Sequence, residues 1–100
     1  MRRKEGLLST AKEVVVRHKA GLHARPAATL VKTAGSFTAR ITVENLTKGT
    51  SVANAKSILS ILKAAVQQND RVRITAEGDD AEEAVARLCG LIESNFGEPE

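Results

Sequence analysis

The apolar residues of this chain change period along its length, and that change restricts it to a mixed fold of strands and helices. In residues 12–18, KEVVVRH, Val14 and Val16 fall on one face of a period-two pattern. Ile41 and Val43 do the same in residues 38–45, and Val72, Ile74 and Ala76 in residues 70–78. Alternation of this kind predicts half-buried strands. GTSVA, residues 49–53, predicts a further short strand that forms a hairpin with residues 38–45 across a polar turn at Leu46 to Lys48.

Between the strands the spacing lengthens to that of a helix. From Pro26 onward Ala27, Leu30, Val31 and Ala34 share a side, and Gly35 stands where a helix would end. Asn54 reads as the N-cap of a second helix over residues 55–68, with Ile58, Leu62, Ala65 and Val66 inward. Leu59 and Ile61 do not both fit that stripe, which leaves apolar side chains outside it as a candidate docking patch. A third helix opens at Asp79, three residues before Glu82 in a carboxylate form of the capping box, and turns Ala81, Val85, Leu88 and Ile92 inward. The order β-α-β-β-α-β-α predicts an α+β fold in which three helices cover one face of an open sheet.

One hundred residues suffice for one core. Residues 12–97 are expected to form that single domain, with residues 1–11 as a flexible basic extension. Phe37 and Phe96 are the sole aromatics, so the core must be built from Ala, Val, Ile and Leu. The same scarcity removes the stacking platforms of single-strand nucleic-acid binders, and a formal charge of +3 that includes Arg2, Arg3 and Lys4 is a weak electrostatic footprint. No nucleic-acid partner is expected. No apolar run is long enough to span a membrane, and the basic start lacks the apolar centre of a signal peptide, so a cytoplasmic protein with no membrane insertion is expected. Cys89, the one cysteine, excludes an internal disulfide and a multi-cysteine metal site, and reads as a small buried hydrophobe.

The candidate chemistry lies in KAGLHARPAATL, residues 19–30, where His23 stands between the first strand and the first helix. Proline suits a first helical turn because its missing N–H would be unpaired there. The amides of Ala24, Arg25 and Ala27 are therefore expected to be free at an end that attracts anions. Arg25 adds a permanent charge and a planar donor fork suited to phosphate. A neutral imidazole is nucleophilic, and a phosphoryl group added to it would meet donors already in place. There is no second acid or base, no Gly-rich phosphate loop and no metal constellation to complete an enzyme site, so His23 reads as a carrier rather than a hydrolytic residue. His18 reads as a strand-end residue with no anion-binding signal nearby. Ser57, three residues past Asn54, reads as a helix-start serine where an added phosphate would be tolerated.

GLHARPAATL resembles the active-site signature of the HPr family, the histidine-containing phosphocarriers of the bacterial sugar phosphotransferase system, and NAKSILSIL resembles that family's second, regulatory motif. The resemblance covers roughly residues 12–95. It implies an open-faced β-sandwich of four antiparallel strands under three helices, a monomer, and no cofactor. It also implies that His23 accepts a phosphoryl group from phosphorylated Enzyme I and passes it to IIA domains of sugar permeases, with Arg25 stabilising the phosphate. Ala24, Pro26, Ile58, Leu59 and Leu62 would meet these partners. Ser57 would be the regulatory site of an HPr kinase/phosphorylase, and its phosphorylated form would bind a carbon-regulatory transcription factor or a metabolic enzyme. A carrier of a nitrogen-regulatory phosphotransfer chain is the alternative. The chain departs from the family after Leu62, where KAAVQQ replaces the usual MSLG-like segment.

Overall fold

A computed structural model describes residues 9–98. Four strands form one antiparallel sheet in the order β1-β4-β2-β3, comprising β1 (Ser9–Val15), β2 (Arg40–Asn45), β3 (Ala53–Asn54) and β4 (Arg71–Glu77). The helices are α1 (Ala24–Ala34), α2 (Ile58–Lys63) and α3 (Ala81–Glu93), and a short 3-10 turn, Asn95–Gly97, follows α3. The α+β open-faced arrangement of four strands and three helices is the expected one.

The alternation works as its period implies. Val72, Ile74 and Ala76 of β4 are fully buried, while Arg71 and Glu77 face solvent. On the open face Arg73 lies between the carboxylates of Glu44, at 3.0 Å, and Glu13, at 3.4 Å, so a charged row crosses three strands. Beneath the helices Leu30, Ile41, Val43, Val66 and Leu88 close a core of aliphatic side chains. Cys89 is buried within it, and burial pushes its thiol up.

β1 begins at Ser9, so residues 9–11, expected in the flexible extension, pair with Thr75 to Glu77 of β4. Their side chains carry little apolar pattern; the pairing comes from the backbone of β4. Residues 1–8 of the expected extension lie outside the described residues. β1 also stops at Val15, short of His18. β3 is two residues long rather than five, because residues 46–52 serve as a loop instead. There the N–H of Gly49 reaches Asn45 O at 2.8 Å with the glycine at φ 67.

The second helix departs most from expectation. Asn54 does not cap it; its side chain accepts from the N–H of Lys56 at 2.9 Å in a local turn. Ser57 is the cap instead, accepting from the N–H of Ser60 at 3.2 Å. α2 then runs for only six residues, and Ala65, at φ 56, ends the helical course. The shift turns Ile61 fully inward and leaves Ile58 and Leu62 outward, contrary to the expected stripe, whereas Val66 is buried and Leu59 exposed as expected.

Carboxylates fasten the loops. Asp70, which is 6% exposed, accepts from the N–H of Gln67 at 2.9 Å and from Asn45 Nδ2 at 3.3 Å, and pairs with Lys48. The fully buried Asn45 also donates to Ala64 O at 3.0 Å and accepts from the N–H of Lys48 at 3.1 Å. β2, its loop, the end of α2 and the start of β4 thus meet at one point. Asp80, rather than Asp79, precedes α3, and no capping box forms. Its two oxygens accept from Thr38 and Ala39 N–H groups at 2.9 and 2.8 Å, joining the entries to α3 and β2.

Burial pushes the Asp70 carboxyl up, but the bonds from Gln67, Lys48 and Asn45 outweigh it and hold the group below the ordinary 3.8. Asp80 is also held below 3.8, first by the Thr38 N–H, against a smaller opposing effect of burial. A carboxyl depressed in the folded state stabilises it above the unfolded-state value, and that contribution is lost as pH falls through the folded-state value. The urea midpoint is therefore expected to hold from pH 7 to about 5 and to fall below about pH 4. Asp70→Asn and Asp80→Asn should each flatten that fall; an unaltered acid limb in both would contradict the assignment.

Candidate functional site

The site is built from a turn that a side chain would prevent. Gly21 sits at φ 65, and a Cβ there would lie 2.2 Å from Val66 O and 2.7 Å from the Cα of Gln67. With no Cβ, the turn settles onto that backbone, and the N–H of Leu22 donates to Val66 O at 3.0 Å. Leu22 is fully buried. His23 follows as the extended N-cap of α1, at φ −129 and ψ 168.

His23 is half-buried, and its ring makes no capping hydrogen bond. Among the described residues it has no side-chain partner. Ala24 is exposed and held at φ 52, a left-handed conformation that costs an alanine about 1–3 kcal/mol. The N–H groups of Ala24 and Arg25 have no acceptor among the described residues. Ala27, expected to offer a third free amide, instead makes a long 3.4 Å bond to His23 O. Arg25 is exposed and makes no ion pair among the described residues. Pro26 is buried in the first turn of α1, so it serves the helix start and leaves little surface for a partner, contrary to expectation.

α1 packs against α2, whose outer side supplies the second half of the surface. Leu59 is 69% exposed, and Ile58 and Leu62 are partly exposed beside it. Val52, just before β3, is also exposed, in the loop that takes the place of part of the expected strand. Ile58, Leu59 and Leu62 lie together on one short helix, and exposed apolar side chains grouped in this way are characteristic of interaction surfaces. Ser57 is half-buried at the start of the same helix, its hydroxyl engaged with Ser60 N–H. His18, expected at a strand end, lies beyond β1, and its side chain meets Ala20 in the same turn and Glu98 and Phe96 far along the chain. Among the described residues no group of His, Cys, Asp and Glu could hold a metal ion, and no helix is long and apolar enough to cross a membrane.

A half-buried histidine at the helix start of a small open-faced sandwich, beside backbone amides without acceptors among the described residues, is an arrangement that suits a phosphoryl carrier. The comparisons point to the same class. The sequence profile of the family described as "PTS HPr component phosphorylation site" matches residues 10–94. The chain is 40% identical over 86 residues to the phosphocarrier protein HPr of Xylella fastidiosa, covering 86% of this chain and 93% of that one. It is 43% identical over 83 residues to a multiphosphoryl transfer protein of Haemophilus influenzae, covering 83% of this chain but spanning only 17% of that protein. Among solved structures, HPr-C-His from Thermoanaerobacter tengcongensis superposes with a TM-score of 0.85 at 45% identity, covering 91% of this chain and 99% of that one. HPr from Bacillus anthracis superposes with a TM-score of 0.78 at 42% identity, over 84% and 96% of the two chains. The chain belongs to the HPr family of the phosphotransferase system.

Gly21→Ala is expected to lower stability by about 2 kcal/mol or more, through the close contact with residues 66–67 and the left-handed φ. Chemical denaturation measures it, and a loss under about 0.5 kcal/mol would mean that the turn tolerates a Cβ. Ser57→Ala should cost about 1 kcal/mol through loss of the cap, whereas Ser57→Asp, itself a good cap, should cost less. Equal costs for the two would show that capping does not set the effect.

Proposed function

We propose that the chain carries a phosphoryl group on His23, accepting it from phosphorylated Enzyme I and passing it to IIA domains of sugar permeases in the cytoplasm. The observation that carries this reading is the imidazole at the head of α1, followed directly by the amides of Ala24 and Arg25 and the Arg25 guanidinium, none of which has a partner among the described residues. A lone pair on a ring nitrogen attacks phosphorus while the bond from phosphorus to the donor breaks, and the donor keeps that bond's electrons. The phosphoryl group changes hands without water, and the reverse sequence delivers it to the recipient. Its charge develops beside donors fixed before it arrives, which lowers the barrier without reorganisation. Surface placement suits a group that two different proteins must reach in turn.

Partners dock on the exposed side of α2 in this reading, with Leu59 as the most protruding contact, flanked by Ile58, Leu62 and Ala24. Multiphosphoryl transfer proteins and a phosphoryl donor subunit of PEP-dependent dihydroxyacetone kinase of Escherichia coli are among the relatives, and this chain matches 18% of the latter. Recipients other than sugar permeases, including those of a nitrogen-regulatory chain, are therefore the second reading of the same chemistry. Ser57 is the proposed regulatory site for an HPr kinase/phosphorylase. A phosphate there would stand at the start of α2 beside Ile58 and Leu59, adding charge to the docking face without unwinding the helix, and could thereby recruit a carbon-regulatory transcription factor or metabolic enzyme.

Incubation with Enzyme I and phosphoenolpyruvate should place one acid-labile phosphate on the chain and none on His23→Ala; label that persists in that variant would refute the assignment. Leu59→Asp should fold normally yet raise the KM for Enzyme I roughly tenfold. An unchanged KM would move the docking surface elsewhere.

A further inference from the structure

Five residues before the acceptor, His18 joins two parts of the molecule that the carrier chemistry does not use. Its side chain is 14% exposed. Nδ1 accepts from the N–H of Ala20 at 3.0 Å, so in the neutral ring the proton sits on Nε2, which meets Glu98 Oε1 at 2.9 Å. The backbone carbonyl of the same residue accepts from the N–H of Gly21 at 2.9 Å. The turn before His23 is thus folded around His18 by both its side chain and its main chain.

The far side of the ring is gripped by the end of the chain. Phe96 packs edge-on to it, with centroids 5.9 Å apart and planes at 81°. Asn95 and Phe96 both adopt left-handed φ angles, 60° and 58°, and Phe96 is nonetheless 9% exposed. Asn95 Nδ2 donates to Glu98 O at 3.0 Å, closing the segment upon itself. Two consecutive non-glycine residues take this conformation only where their surroundings over-determine it. Here the surroundings are the His18 ring and the core beneath Phe96.

We propose that His18 is a positioning residue for His23, and that the segment 95–98 sets how firmly the acceptor turn is held. The proposal rests on the carrier reading above for its consequence, but the coupling can be read without it. Residues 16–22 already lie against residues 66–70 through Val16 N–H to Asp70 O, Asn69 N–H to Val16 O, and Leu22 N–H to Val66 O. Those bonds fix the two ends of the segment. His18 is what fixes its middle, at Ala20 and Gly21, immediately before the rigid step into α1. A turn free to shift there would move the imidazole relative to the amides of Ala24 and Arg25, and transfer rates are sensitive to displacements of that order.

The test uses the full-length chain and three variants. His18→Ala removes all three contacts of the ring, with Ala20, Glu98 and Phe96. His18→Asn keeps an acceptor where Nδ1 stood, able to take the N–H two residues on, but lets go of Phe96 and Glu98. Glu98→Ala releases the tail alone. Amide exchange at Ala20 and Gly21 should speed up most in His18→Ala, which loses the Ala20 bond and the tail together, and less in His18→Asn and Glu98→Ala, which keep an acceptor for Ala20 but loosen the tail. In transfer from phosphorylated Enzyme I, His18→Ala should lower the maximal rate roughly tenfold with KM for the chain unchanged, since the α2 surface is untouched. His18→Asn should recover part of that rate. A maximal rate unaltered in a folded His18→Ala would overturn the proposal, as would an Asn variant no better than the Ala one, because the bond to Ala20 would then hold nothing; exchange and rate both unchanged in Glu98→Ala would remove the tail from it. If the unsubstituted chain takes no phosphate from Enzyme I, the carrier reading fails; the exchange pattern then decides the coupling by itself.

Discussion

The seat of His23 depends on the absence of one side chain at Gly21. Because nothing projects there, the turn leading to His23 rests directly on the backbone at Val66 and Gln67, and Leu22 can bond to Val66 O at 3.0 Å. That carbonyl is available because α2 stops early and Ala65 reverses the chain at φ 56. The cap at Ser57 sets the phase of the same short helix, burying Ile61 and leaving Ile58, Leu59 and Leu62 outward. The start of α2 thus fixes its exposed apolar side chains, and its exit supplies the seat of the turn before the histidine.

Charge is spent mainly on joining loops, not on filling a site. Asp70 collects backbone and side-chain donors from separate elements, Asp80 takes the backbone N–H groups of Thr38 and Ala39 before β2, and on the open face Arg73 is shared between Glu13 and Glu44. Near His23 the balance is the opposite, with Arg25 and two backbone amides lacking partners among the described residues. Satisfied polar groups hold the frame, and unsatisfied ones gather where an anion would arrive.

Much of this was legible in the sequence because local rules and tertiary packing agree. Val72, Ile74 and Ala76 alternate into the core as their spacing implies, and Leu30 and Leu88 point inward from helices whose extents were close to those read from spacing. His23 at the head of a helix was visible from Pro26 alone. α2 was misread because Asn54 and Ser57 are both competent caps, and the choice between them is made by packing: Ile61 must be buried and Asn54 already belongs to β3. Ser9 to Ala11 carry no pattern that reveals a strand, since their partner lies in β4. His18 looked idle for the same reason, its carboxylate partner being 80 positions away.

The same separation governs when the acceptor comes into being. β1 pairs with β4 through Ser9↔Glu77 and Val15↔Arg71, and the seat of the turn is the backbone at Val66 and Gln67. His23 is synthesised before residues 66–77, and until these have emerged β1 lacks its β4 neighbour and Leu22 its acceptor. Contacts this distant in sequence make folding slow relative to a helical bundle. A nascent chain therefore displays the motif before it possesses the geometry, and the turn that seats His23 waits on a stretch of backbone made well after it.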